Sequence, residues 1–206
     1  MTLMIEPRIY LASSSPRRRE LLHQIGVRFD LLLFRNQPRE DAAVNEGIRP
    51  GEAAEDYVLR VARAKAGYGT QLIRMRHLPP RPVLAADTTL DLDGAIIGKP
   101  RDQTDAAAIL SRLSGSSHRV LTAVALADGK RHEHVLSVSE VRFRTLSAEE
   151  IRRYAASSEP QDKAGAYGIQ GRAAMFIEAI RGSYSGIVGL PLCETALLLR
   201  AFGYPL

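Results

Sequence analysis

Two long segments with the patterns of β-strands, joined by an Asp-Gly pair, constrain the fold more than any other feature of the chain. Residues 118–146 have the sequence HRVLTAVALADGKRHEHVLSVSEVRFRTL, with the turn at Asp128-Gly129. An Asp-Gly pair between such segments favours the turn of a β-hairpin. The second segment alternates polar and apolar residues, as a half-buried strand does. We therefore expect two long antiparallel strands here.

Strands and helices alternate on both sides of this hairpin. Short apolar runs predict further strands at residues 8–13, 27–34, 81–87 and 175–180. Capped or amphipathic segments predict helices at residues 14–26, 52–77, 102–114, 147–156 and 192–201. Polar and glycine-rich stretches predict exposed loops at residues 35–50 and 181–191. Such an order around an antiparallel pair favours an α/β fold with a mixed sheet.

Length and composition favour one globular domain over residues 1–206. The chain has 45% hydrophobic and 25% charged residues, which is ordinary for a protein with a buried core. Its N-terminus contains Glu6 and Arg8 and no long apolar run, so we expect no signal peptide. No run approaches the roughly 20 apolar residues that cross a bilayer. With a single cysteine, no disulfide can form within the chain. We expect a cytoplasmic protein without a membrane partner.

The charge pattern does not favour nucleic-acid binding. The net charge is +5, but the basic residues are mixed with acidic ones and form no block. Aromatic residues make up 6% of the chain and none is tryptophan, so no base-stacking platform is indicated. Only four of the 28 basic residues are lysines. Three of them, Lys65, Lys99 and Lys163, fall in segments with other features of a binding site.

The stretch LASSSPRRRELL at residues 11–22 predicts an anion site. A helix N-terminus presents free N–H groups and a partial positive charge, so three arginines there are unfavourable unless an anion offsets them. The serine hydroxyls and the guanidinium groups of Arg17 and Arg18 would converge on a phosphate. The alternative is a capped surface helix with solvated arginines. Because three adjacent arginines point around the helix, one of them can be a plain surface residue in either case.

The stretch AADTTLDLDGAIIGKP at residues 85–100 is a second candidate. We expect Asp87 to end a buried strand, where α/β proteins present site residues. A carboxylate there can hold Mg²⁺ or take a proton from water. Lys99, on the other arm of a hairpin, could neutralise a phosphoryl oxygen. The alternative is an aspartate that caps a turn beside an exposed lysine, and the spacing leaves both interpretations open.

The glycine-rich segment, residues 162–174, has the sequence DKAGAYGIQGRAA. Its glycines allow the backbone to approach a ligand closely. Tyr167 could supply a stacking face, and the Gln170 amide can both donate and accept hydrogen bonds, which suits the edge of a base or a metal-bound water. A flexible surface loop is the alternative.

Taken together, six stretches resemble the Maf family of nucleotide pyrophosphatases, in the same order from about residue 8 to residue 200. They are LASSSPRRRELL, VARAKA, AADTTLDLDGAIIGKPRD, SGSSHRVLTAVAL, DKAGAYGIQG and GSYSGIVGLPLCET. The resemblance implies an α/β fold with a mixed, twisted sheet, elongated and two-lobed, related to the inosine triphosphate pyrophosphatases. It also implies a homodimer with the active site in a cleft between the lobes.

The resemblance further implies hydrolysis of a nucleoside triphosphate to the monophosphate and pyrophosphate with a divalent metal, Mg²⁺ or Mn²⁺. The form DKAGAYGIQG is similar to the branch that acts on dTTP and UTP. Carried over by matching motifs, Asp87 is the catalytic and metal-binding residue. The substrate-binding residues are Ser13, Arg17, Arg18, Lys65, Lys99 and Gln170.

One stretch departs from the family pattern, which places an acidic pair after the second strand to help at the metal. Here the equivalent stretch is FRNQPRED, with Gln37 near the expected position. Glu40 or Asp41 is a candidate replacement. The alternative function is a nucleotide-binding regulator of septum formation or cell division with little hydrolysis.

Overall fold

The computed structural model describes residues 7–34 and 44–206. Its strands are β1 (Ile9–Leu11), β2 (Phe29–Leu31), β3 (Val83–Leu92), β4 (Ala95–Ile97), β5 (Ser117–Ala127), β6 (His132–Phe143) and β7 (Ile177–Arg181). Its helices are α1 (Pro16–Gln24), α2 (Ala54–Met75), α3 (Gln103–Leu113), α4 (Ala148–Ala155), α5 (Tyr184–Val188) and α6 (Leu192–Ala201). The 3₁₀ turn Ala164–Ala166 lies within the glycine-rich segment, and a second one, Arg172–Phe176, begins in it.

The strands form one mixed sheet in the order β2-β1-β3-β5-β6-β7, with β4 paired to β3 beside this path. Strand β1 is parallel to β2 and β3, and the pairs from β3 to β7 are antiparallel. The predicted hairpin is confirmed, since β5 and β6 pair continuously from Ser117↔Arg142 to Ala127↔His132. The mixed α/β class is therefore confirmed as well.

The prediction that a strand ends at Asp87 is wrong. Strand β3 continues to Leu92 because its antiparallel partner β5 supports it along its whole length, as far as Asp91↔Arg119. The parallel partner β1 stops much earlier, at the pair Leu11↔Leu84. Asp87 therefore lies in the middle of β3, beyond the end of its shorter neighbour.

Helix α1 begins as its sequence predicts. The Ser15 hydroxyl accepts the backbone N–H of Arg18 at 3.5 Å and Pro16 is the first helical residue, both favourable choices at a helix start. Beyond the C-terminus, Gly26 has a φ of +71°, which a residue with a side chain disfavours. The first turn contains no acidic residue.

The core has three apolar clusters. One packs α2 against the β3 face that carries Val83 and Ala85, and a second packs α1 and α6 against the face that carries Leu84 and Ala86. The third lies at the other end of the sheet, where α3, α4 and the glycine-rich segment surround Phe143. The molecule thus has two packed ends joined by the long central strands.

Helix α5 lies where the sequence predicted a loop. The Ser183 hydroxyl accepts the backbone N–H of Gly186 and caps its five residues, a contact that glycine and serine content alone does not indicate. Among the described residues, no helix is long and apolar enough to cross a membrane.

Candidate active site

A cavity of about 970 Å³ opens between the two ends of the molecule. Its walls come from the α1 N-terminus, the middle of β3, helix α2, the β4 end, the α5 loop and the glycine-rich segment. The cavity is lined by every site residue that the sequence predicted, namely Ser13, Arg17, Arg18, Lys65, Asp87, Lys99 and Gln170.

The cavity reaches both faces of the sheet because β1 ends early. Side chains alternate along a strand, so Asp87 points to the α2 face and Thr88 to the α1 face, yet both line the cavity. Groups from opposite faces of β3 thereby meet in one space.

Arg18 is fixed on the α1 side of the cavity by three contacts. Its Nε donates to the Gly189 carbonyl oxygen at 2.8 Å, Nη1 to Ser13 Oγ at 3.3 Å and Nη2 to Thr88 Oγ1 at 3.1 Å. Burial lowers the pKa of Arg18, with Asp87 opposing the change. The guanidinium has lost much of its water, so a bound anion would restore lost interactions.

Two hydroxyls connect the Arg18 contact to the backbone of helix α5. Thr122 Oγ1 donates to the Gly186 carbonyl oxygen at 2.8 Å and lies 2.9 Å from Thr88 Oγ1. Each hydroxyl has a single proton, so Thr88 donates to Thr122 and is left as an acceptor for Arg18. The α5 loop and β5 thus help to orient the arginine.

Arg17 extends across the cavity. Its Nη1 lies 3.3 Å from Asp162 Oδ2 in the glycine-rich segment, so an ion pair links the two walls. Arg19 does not line the cavity. The three arginines therefore divide as the helix geometry allows, two toward the cavity and one away from it.

Lys65 joins two carboxylates on the α2 side. Its Nζ lies 2.8 Å from Asp87 Oδ1 and 2.8 Å from Glu46 Oε1. The side chains of Lys65 and Asp87 are 14% and 12% exposed, and that of Glu46 is 54% exposed. Burial raises the pKa of Glu46, but Lys65, with Lys99 and Arg18, outweighs burial and leaves that pKa below its ordinary value. Glu46 is therefore negatively charged at neutral pH.

Glu46 is the site residue that the sequence analysis missed. The stretch FRNQPRED lies partly outside the described residues, and its Gln37, Glu40 and Asp41 are among the positions outside. Glu46 follows in the same polar loop.

Arg60 of α2 holds the loop in place. Its guanidinium donates to the carbonyl oxygens of Asn45 at 2.7 Å and Gly47 at 2.9 Å, on either side of Glu46. The same guanidinium is paired with Glu52. Arg60 lies five residues before Lys65 on α2. This spacing alone does not predict that Arg60 contacts the loop, because the contact depends on the path of the loop.

Lys99 and Gln170 are the two exposed members of the set. Among the described residues, neither side chain has a hydrogen bond or ion pair, so both are available to a ligand. The backbone N–H of Gly165 donates to the Gly98 carbonyl oxygen at 3.0 Å, which brings the segments that carry Lys99 and Gln170 together.

Tyr167 is not the open stacking face that its sequence context suggested. It borders the cavity but is 5% exposed, with its ring 4.8 Å from that of Phe143. Its hydroxyl lies 2.8 Å from His118 Nε2. The segment around it is part of the core, which also argues against a freely flexible loop.

The donor set suits a hard divalent cation. Mg²⁺ and Mn²⁺ favour carboxylate oxygens and are often held by one or two of them together with phosphate and water. Asp87 and Glu46 converge on one ammonium, so positive charge between them is already favourable. In the described part of the chain, no group of three or more His, Cys, Asp or Glu side chains could hold a metal ion.

Comparisons with known proteins show which proteins this chain is similar to. A family model described as "Maf-like protein" matches residues 8–202. The dTTP/UTP pyrophosphatase of Aromatoleum aromaticum is 64% identical over 203 residues, which cover 98% of each chain. Proteins of the same name from Dechloromonas aromatica (58% identical, covering 96% of this chain and 98% of that one) and Chromobacterium violaceum (51% identical, 98% of each) are also similar. The Staphylococcus aureus Ham1 protein aligns with a TM-score of 0.43 and 12% identity over 66% of this chain and 71% of that chain.

Proposed function

The chain belongs to the Maf family, and on that premise we propose that it hydrolyses dTTP and UTP to the nucleoside monophosphate and pyrophosphate. It is a nucleoside triphosphate pyrophosphatase, as its relatives of 51 to 64% identity are named. The observation that carries the proposal is the cavity in which an aspartate paired with a lysine faces two arginines at a helix N-terminus.

The triphosphate binds at the α1 N-terminus. Free N–H groups of the first turn, the Ser13 hydroxyl and the forks of Arg17 and Arg18 supply donors for phosphate oxygens. Since Arg18 is already oriented by three contacts, little conformational freedom is lost when the anion binds.

Asp87 orients the attacking water and accepts its proton. Water attacks the α-phosphorus, a new P–O bond forms, and the bond to the bridging oxygen of pyrophosphate breaks with its electron pair. Lys65 fixes the Asp87 carboxylate and, with Lys99, Arg17 and Arg18, offsets the negative charge on the transferring phosphoryl group and on the leaving pyrophosphate. Positioning and charge compensation supply most of the catalysis in phosphoryl transfer.

Asp87 and Glu46 would hold the divalent metal, Mg²⁺ or Mn²⁺. When bound, the cation neutralises phosphate oxygens and makes pyrophosphate a better leaving group. Support comes from the shared ammonium contact of the two carboxylates and from the charged state of Glu46. Glu46 replaces Glu40 and Asp41 as our candidate for the acidic partner.

Gln170 contacts the base. Gln170 lies on the glycine-rich segment, which forms a different wall of the cavity from the α1 N-terminus. The Gln170 side chain is exposed in the cavity. An amide matches the alternating donor and acceptor edge that thymine and uracil share. This assignment predicts that Gln170 affects the choice of base more than the affinity for phosphate.

The regulatory alternative is not favoured. A protein that only senses a triphosphate needs no carboxylate held beside the phosphates by a lysine, and the similar proteins are named for hydrolysis. We further propose that the protein acts as a homodimer, as the family resemblance implies, of single-domain chains in the cytoplasm, as length and composition suggest. Light scattering of the purified protein tests the dimer.

Product analysis tests the proposed function. Purified protein is incubated with Mg²⁺ or Mn²⁺ and with dTTP, UTP, dCTP or dGTP, and the nucleotide products, pyrophosphate and orthophosphate are measured. We expect monophosphate and pyrophosphate in equal amounts, fastest from dTTP and UTP. Orthophosphate release, or tight binding without turnover, would favour the regulator instead.

A further inference from the structure

The Glu159 carboxylate is enclosed by the glycine-rich segment. Its Oε2 accepts the backbone N–H of Arg172 at 3.1 Å, and its Oε1 accepts the hydroxyl proton of Tyr154 at 2.8 Å. The Tyr154 oxygen in turn accepts the backbone N–H of Gly168 at 3.4 Å. Two backbone N–H groups of the segment therefore donate hydrogen bonds to the Glu159–Tyr154 pair. Gln170 lies between these two donors in the sequence.

The carboxylate is in direct contact with the backbone of the segment. A Cβ placed on Gly171 would overlap Glu159 Oε1, and one placed on Gly168 would lie 2.9 Å from Lys163 Cε. Neither glycine is among those with a positive φ, so conformation does not require glycine at either position. An alanine would instead displace the end of a side chain, the Glu159 carboxylate at position 171 or the Lys163 methylene groups at position 168.

Lys163 closes the base of this arrangement. Its Nζ donates to the Glu159 carbonyl oxygen at 2.6 Å and to Asp162 Oδ1 at 2.5 Å. The turn that presents the Glu159 side chain is thereby fixed. Burial, together with the hydrogen bond to Glu159, raises the pKa of Tyr154, so the phenol keeps the proton that it donates.

We propose that Glu159 is a positioning residue for base selection, one that acts through the glycine-rich segment and holds the Gln170 backbone in place. The inference rests on the proposed function, because it assumes that Gln170 contacts the base. Glu159 also borders the cavity, but both its oxygens already accept hydrogen bonds from within the protein. Both contacts tie the carboxylate to the segment, so we assign it a positioning role.

The substitutions Glu159→Ala and Gly171→Ala form a double-mutant cycle that tests this contact. The first removes both acceptors, and the second forces a methyl group against the carboxylate. In the double variant the methyl group has space, because the carboxylate is gone. Gly171→Ala should therefore weaken nucleotide binding more in the wild-type background than in the Glu159→Ala background. If Gly171→Ala lowers nucleotide affinity equally in both backgrounds, its effect does not come from contact with Glu159, and the proposal is overturned.

The readout is binding of α,β-methylene-dTTP, α,β-methylene-dCTP and inorganic tripolyphosphate. We expect Glu159→Ala to reduce the preference for the thymine analogue over the cytosine analogue about tenfold, the scale of one misaligned hydrogen bond. Tripolyphosphate affinity should stay at the wild-type value, since Arg17 and Arg18 are untouched. An unchanged base preference, or an equal loss of affinity for all three ligands, would contradict the proposal.

Controls separate this role from general stability and from the proposed function. Glu133→Ala removes an exposed acid on β6 that does not line the cavity and should leave all three affinities unchanged. Glu159→Gln keeps the size and one acceptor and should recover part of the base preference. None of these measurements needs turnover, so a wild-type protein that failed to hydrolyse dTTP would count against the proposed function alone.

Discussion

The Lys65 ammonium lies 2.8 Å from the Asp87 carboxylate and joins helix α2 to the middle of strand β3. The same nitrogen contacts Glu46 at 2.8 Å. A single positive charge thus stabilises two carboxylates that would otherwise repel each other.

Lys65→Met should tighten Mn²⁺ binding in the absence of nucleotide and lower turnover of dTTP. The lysine competes with the cation for Asp87 and Glu46, so its loss favours the metal, while the phosphoryl group loses a positive neighbour. Calorimetric titration with Mn²⁺ measures the first effect, and a steady-state assay measures the second. Lys130→Met is the control, because Lys130 is exposed and does not line the cavity. Weaker Mn²⁺ binding by Lys65→Met would contradict the proposed metal ligands.

Asp87→Asn should lower kcat for dTTP by about 10²- to 10⁴-fold, the range for a lost general base. The amide has the shape of the acid and keeps the strand intact, so the melting temperature should change little. Asp93→Asn is the matched control, since this residue lies exposed in the β3–β4 turn and Asn-Gly suits such a turn. Appreciable turnover by Asp87→Asn would assign the base to another group.

Asp162→Asn should lower KM for dTTP, because Asp162 competes with the triphosphate for Arg17. The gain should be about fivefold at most, as partly exposed ion pairs contribute little. It should also shrink as salt is added, since salt screens the pair in the wild-type protein. A higher KM would show that Asp162 helps to place Arg17 and does not compete for it.

His118 should make the folded state sensitive to acid. Its imidazole is 2% exposed, and burial lowers its pKa from 6.5 to about 4. The unfolded chain takes up a proton as the pH falls through 6.5, whereas the folded chain does not, so acid favours unfolding. Above pH 6.5 His118 is neutral in both states, so it does not lower the free energy of unfolding.

Urea unfolding measures the effect of His118. Between about pH 7.5 and about pH 5, the wild-type free energy of unfolding should fall by about 2 kcal/mol more than that of His118→Gln. His134→Gln, which removes an exposed histidine on β6, should follow the wild type. Parallel curves for wild type and His118→Gln would contradict the burial argument.

Elements with local signals were predicted well from the sequence. The Asp128-Gly129 turn, the Ser15 cap and the boundaries of α3 and α6 depend on residues within one or two turns of each other. All seven site residues in the recognised motifs line one cavity.

Features that depend on distant partners were missed. Asp87 lies mid-strand because β5 is longer than β1. The sequence of β3 alone does not show how long its neighbouring strands are. Glu46 reaches the cavity only because Arg60 holds the loop against α2. Tyr167 is buried because Phe143 and His118 surround its ring. Each of these features depends on a tertiary contact, which hydrophobic periodicity and turn residues do not predict.

The most direct test of the mechanism is hydrolysis of dTTP in oxygen-18-labelled water with the enzyme in excess. The orientation of Asp87 toward a water at the α-phosphorus predicts label in the thymidine monophosphate and none in the pyrophosphate. Label in the pyrophosphate would mean attack at the β-phosphorus and would contradict the placement of the triphosphate across Arg17, Arg18 and Asp87.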